Sequence, residues 1–173
     1  MKKKAIKLVA VLCLAALIFT TGTPARAEST KYVSTQNFLN YLSMKGVKYS
    51  YLGVDDRDET VSVSYALDHF TSLKCNLYFR DDDEVNLRIY NIVTVQTGTN
   101  RALSVLNELN ADYKFAKFVL DTSDMTVQAE MDMFIDAATC GSVVYEALNM
   151  LLLVVDDDEV APRLLALEYS ADV

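Results

Sequence analysis

The stretch MTVQAEMDMFI at residues 125–135 decides the fold. Met125, Val127, Ala129, Met131, Met133 and Ile135 alternate with Thr126, Gln128, Glu130 and Asp132. A period of two belongs to a β-strand, whose successive side chains point to opposite faces. One apolar and one polar face mark an antiparallel sheet with a core on one side and water on the other.

The same period recurs on the N-terminal side. Residues 115–120 read as a hairpin partner, joined through a turn at 121–124. Earlier come Val47, Tyr49 and Tyr51, then Val61, Val63 and Tyr65, then Cys75, Leu77 and Phe79, then Val85, Leu87 and Ile89. Acidic turns at 55–59 and 81–84 connect these strands as a meander. Between the strand runs the period changes. Residues 35–44 read as a short amphipathic helix stopped by Gly46, and 101–109 as a helix capped by Thr99 or Asn100. A helix capped by Thr139 or Ser142 runs to Val155; it is apolar almost all round, so it is expected in the interior. Asp158 is a candidate cap for a last helix, with Pro162 in its first turn. Strands segregated from helices predict an α+β domain: an antiparallel sheet of a four-strand meander plus a hairpin, with helices packed on one face.

The first 27 residues read as a cleavable signal peptide. Lys2, Lys3, Lys4 and Lys7 precede the apolar run 8–19, Gly22 and Pro24 end it, and Ala25 and Ala27 are the small residues a signal peptidase recognises. The mature chain then begins at Glu28. The run is too short for a permanent span, which needs about 20 apolar residues. Cys13 lies inside it, preceded by Leu12, so it does not mark a lipid-attachment site and leaves with the peptide. The expected organisation is 1–27 signal peptide, 28–34 short flexible tail and 35–173 single domain, exported to the periplasm or secreted, with no stable membrane span after cleavage.

Cleavage removes five of the 16 basic side chains and none of the 24 acidic ones, so the mature chain carries a formal charge of −13. Such acidity opposes nucleic acid, whose phosphates need clustered Lys and Arg. Two cysteines remain, Cys75 and Cys140. An oxidising compartment permits a disulfide between them; a domain of this size also folds without one, leaving two buried thiols.

The chain offers little chemistry. His69 is the only histidine and stands in a polar stretch without a nucleophile motif, so a solvent-exposed loop histidine is expected. The acidic runs at 55–59 and 81–84 lack the alternation, the sixth-position Gly and the terminal Glu of a calcium loop. Glu130 and Asp132 share a strand face, but two acids there are ordinary, and the chain has no Trp to floor a sugar cleft. No glycine-rich loop offers itself to a phosphate. No catalytic residue, metal site or cofactor is expected.

From Arg101 onward the chain resembles the YbjN family of small bacterial α+β domains. LSVLNELN at 103–110, YKFAKFVLD at 113–121, the strand 126–134 and VDDDEVAPRLL at 155–165 carry the resemblance. The element order extends it over residues 35–169. The resemblance implies a type III secretion chaperone-like fold that binds other proteins, in a family labelled a sensory transduction regulator. It brings no catalytic residue. The signal peptide departs from the family pattern and argues against a cytoplasmic chaperone role.

The reading is therefore a non-catalytic, extracytoplasmic protein-binding or regulatory module. The alternatives are a small envelope hydrolase and a small-ligand or cation binder, either of which needs a concave site with converging polar groups. The run 143–155 holds more apolar surface than one sheet face needs. Leu164, Leu165 and Leu167 either cover its far side or form, with it, a contact to another protein or a second copy of the chain.

Overall fold

A computed structural model describes residues 30–81 and 83–169. Ala25, Ala27 and Glu28 lie outside the described residues. The chain runs α1 (Val33–Met44), β1 (Ser50–Asp55), β2 (Asp58–Tyr65), β3 (Leu73–Arg80), β4 (Glu84–Thr94), α2 (Thr99–Asp112), β5 (Lys117–Asp121), β6 (Thr126–Phe134), α3 (Cys140–Val155) and α4 (Ala161–Leu165), then a 3₁₀ turn (Ala166–Glu168). It is an α+β fold. The six strands form one antiparallel sheet in the order β1-β2-β3-β4-β6-β5, so the hairpin joins the meander through β6.

Alternation does the sorting. Val61, Val63, Cys75, Leu77, Phe79, Val85, Leu87, Ile89, Val127 and Ala129 are all buried on the face that carries the helices. Asn76, Tyr78, Arg80, Arg88, Glu130 and Asp132 occupy the other. Two irregularities bend the pattern, one in β1 between Tyr51 and Gly53 and one in β4 between Ile89 and Val93. Asn91 takes a positive φ in the second. Thr126, expected on the solvated face, is buried there: its hydroxyl donates to Asn91 Oδ1 at 3.1 Å or Asp124 Oδ1 at 2.7 Å.

The helix ends have local causes. Gly46 at φ +70° ends α1; its N–H donates to the Ser43 carbonyl and the Val47 N–H to that of Leu42, the double bond of a Schellman cap. The capping side chains expected for α2 and α3 make no cap bond; Gly98 and Thr139 stand at those positions. Gly141 lets α1 and α3 approach, because a Cβ there would lie 3.0 Å from both the Asn37 carbonyl oxygen and Tyr41 Cβ.

The residues expected as a loose tail are pinned from Lys31 on. Glu59 sits on the core-facing side of β2 with no exposed surface. Its carboxylate accepts the Lys31 N–H at 2.5 Å, the Tyr32 N–H at 2.9 Å and the Tyr51 hydroxyl at 2.6 Å. Burial raises its pKa, but the bonds from Tyr51, Lys31 and Tyr32 outweigh burial and hold it below its ordinary value.

The C-terminal elements decide between the two alternatives left open for Leu164, Leu165 and Leu167. Leu164 and Leu167, candidates for a partner surface, are core residues, and Leu165 packs partly against the core. The backbone fixes them there: the N–H groups of Gln96 and Thr97 donate to the Leu167 carbonyl at 2.8 and 3.3 Å, tying the chain end to the end of β4. No side chain caps α4: Val160 is its N-cap, and the Val160 and Ala161 N–H groups donate to the Asp157 backbone carbonyl, so Asp158 is not the cap.

Candidate functional site

α3 has two faces. Val144, Leu148, Leu151, Leu152 and Val155 recur at helical spacing and are buried against α1 and the sheet. Val143, Glu146, Met150 and Leu153 share the opposite face, where an isolated domain normally presents charge. Three of those four are apolar. Leu153 is 66% exposed and Met150 45% exposed.

The connection from α2 to β5 faces this stripe. Residues 112–116 project Tyr113 and Phe115, the latter 71% exposed, beside Met150 and Val154. The two walls border adjoining open hollows of about 400 and 270 Å³ that share Tyr113, Met150 and Val154, the second also lined by Met131 of β6 and Ala116. The result is an apolar groove. Its rim is acidic: Glu146 and Asp157 on one side, Asp112 on the other, with Lys114 the one cation among the described lining residues. Burial first, then Asp157, Glu159 and Asp112, push the Tyr113 hydroxyl above its ordinary pKa.

The open sheet face holds a smaller hollow of about 200 Å³ lined by Asp58, Tyr78, Arg80, Asn86, Arg88 and Tyr90. Its cations are already engaged. Arg80 pairs with Asp58 at 2.8 Å, and Arg88 with Asp132 at 2.6 Å and Glu130 at 3.7 Å. Glu130 and Asp132 are thus brought together around one guanidinium, without a nucleophile beside them.

His69 is not a free loop residue. Its Nδ1 lies 3.0 Å from the Asp156 carbonyl oxygen and its Nε2 3.5 Å from Asp158, while the Asp156 carboxylate receives the N–H groups of Asp68 and His69. It fastens the β2–β3 connection to the end of α3. Cys75 and Cys140 are not joined in a disulfide. Each is a buried thiol: Cys140 Sγ donates to the Ser34 carbonyl at 3.0 Å, and burial pushes Cys75 up to about 12. Among the described residues no three His, Cys, Asp or Glu side chains converge as a metal site requires, and no helix is long and apolar enough to cross a membrane.

Phe115, Met150 and Leu153 were not singled out from the sequence. The surplus apolar character of 143–155 was the available signal, but periodicity alone does not say which of two apolar stripes a sheet covers. Glu59 also left a signal, since it shares the parity of Val61 and Val63. No protein-family model matches the chain, and no curated protein is significantly similar to it.

Proposed function

We propose that this chain is an exported, non-catalytic module of the YbjN type that binds another protein through the groove between α3 and residues 112–116. The observation that supports it is the exposed apolar stripe Phe115, Met150 and Leu153, placed where water would otherwise favour charge. Fully burying an exposed side chain of this size contributes about 1.5–3 kcal/mol; Met150, Leu153 and Phe115 are already partly covered and contribute a share of that each. The order of helix, meander, helix, hairpin and helices agrees with the order that the YbjN resemblance implies, and a chaperone-like role agrees with an open apolar groove. The sheet's polar face, with its arginines held by carboxylates, is the inert side of the module.

Photocrosslinking in the native envelope tests this. A photoreactive residue at position 153 is expected to yield discrete protein adducts, and the same residue at position 90 on the open sheet face none. Adducts from position 90 with none from 153 refute the assignment of the groove.

A further inference from the structure

We infer that the groove takes a cationic amphipathic helix of its partner, its apolar stripe seated on Phe115, Met150 and Leu153 and its Lys or Arg side chains against the acidic rim. This rests on the groove being the docking face. Three features select this occupant.

The rim carries three carboxylates against one cation: Glu146 and Asp157 on the α3 wall, and Asp112 with Lys114 on the other. Glu146, Asp112 and Asp157 make no ion pair with a cation of the described chain, in contrast to Asp58, Glu108, Glu130 and Asp132, which do. Three carboxylates around an apolar strip leave their neutralisation to the incoming molecule. The field beyond the groove has the same sign, since the mature chain carries −13, and it steers cationic partners toward the protein.

A second copy fits worse. A two-fold contact is isologous and repeats each patch against itself. It brings a second rim of the same net sign, three carboxylates with one Lys per copy, to the same contact. Like charges brought together oppose the contact that the apolar side chains favour.

The wall geometry selects a helix. The contact side chains of α3 recur at three- and four-residue spacing along one helical stripe, and Phe115 faces them across the groove. A partner helix with apolar residues at i, i+3 or i+4 and i+7 meets such a groove along one face and turns its flanking positions to the rim.

The test uses the protein purified after export and two labelled synthetic helices of about 18 residues, long enough to hold helical structure. Both carry the same leucine stripe, one with lysines on its polar face and the other with glutamates. Fluorescence anisotropy is expected to show the lysine helix binding at least about tenfold more tightly. The double variant Glu146→Lys, Asp157→Lys should abolish that preference. Asp55→Lys with Asp83→Lys, an equal charge change in two hairpin turns, should leave most of it. All four positions are outside the core, and unchanged melting temperatures verify folding. Equal binding of both helices, or equal loss in the turn variant, overturns the inference and leaves a docking groove without charge selection. A dimer in sedimentation that Leu153→Asn dissociates, with neither helix bound, assigns the groove to a second copy and also overturns it. Absence of helix binding, of self-association and of adducts from position 153 overturns the docking reading itself.

Discussion

Replacing Glu59 tests how the domain holds its first helix. The carboxylate has no exposed surface and accepts two backbone N–H bonds and one phenol bond. In Glu59→Ala the Tyr32 N–H loses its acceptor inside the protein, which costs about 1–3 kcal/mol. The Lys31 N–H and the Tyr51 hydroxyl lie nearer to water and recover part of their bonding, so the loss should total about 2–4 kcal/mol, one stranded buried donor plus part of two further hydrogen bonds. Glu59→Gln keeps one acceptor oxygen and should cost about 1–2 kcal/mol, the difference between charged and neutral hydrogen bonds. The sign with pH follows from the depressed carboxylate. Its ordinary value is 4.5 and the folded value is lower, so its stabilisation is complete above 4.5 and is lost as the pH falls through the folded value. Urea unfolding at a series of pH values should show a constant Glu59→Gln deficit above about pH 6 that shrinks below about pH 4. A Gln variant as stable as the wild type at neutral pH, or a deficit that persists unchanged into acid, refutes this account.

Leu164→Ala should lose about 2–5 kcal/mol in chemical denaturation because it empties a closed core site, whereas Leu153→Ala should change stability by less than about 0.5 kcal/mol. Cys75 should resist a thiol reagent in the native protein and react on unfolding, since burial holds it near 12 and out of reach of the reagent; prompt native labelling would contradict its placement in the core. His69→Ala should cost about 1 kcal/mol in urea, the worth of one hydrogen bond to the Asp156 carbonyl, because the two backbone bonds to the Asp156 carboxylate remain. Terminal sequencing of exported protein should begin at Glu28, and a product retaining residues 8–19 would contradict cleavage.

The sheet was legible because alternation is strong where one face is dry. The strands at 73–80 and 126–134 lie within a residue or two of their expected bounds. The first strand was expected three residues early: Tyr49 and Tyr51 keep the period, but β1 starts at Ser50 and carries an irregularity before Gly53. Local pattern does not report such a bulge, which is set by pairing with β2. Glu59 was read with the acidic turn because carboxylates are seldom buried. What reverses that preference is the backbone of residues 31 and 32, which lie 28 and 27 residues away in the chain. The groove was half legible. Surplus apolar surface on 143–155 was plain, yet Leu164 and Leu167 look like surface candidates until the turn back to β4 is known. A stripe of leucines reads the same whether it faces a core or a partner.

The order of strands bears on how the domain matures during synthesis. A chain emerging N-terminus first presents β1 to β4 together, a locally connected unit complete at Thr94. Most of its cover comes later, because α3 begins at Cys140 and the closing turn ends at Glu168. Until some 70 further residues have arrived, only α1 shields the apolar side of the meander. Such a half-made sheet has open edges and an uncovered apolar surface, the features that attract proteases and other unfolded chains. Asp56, Asp81 and Asp83, with Arg57 as a counter-charge, lie in the hairpin turns of that early unit, where their net negative charge opposes contact between neighbouring copies while the rest of the chain is still being made.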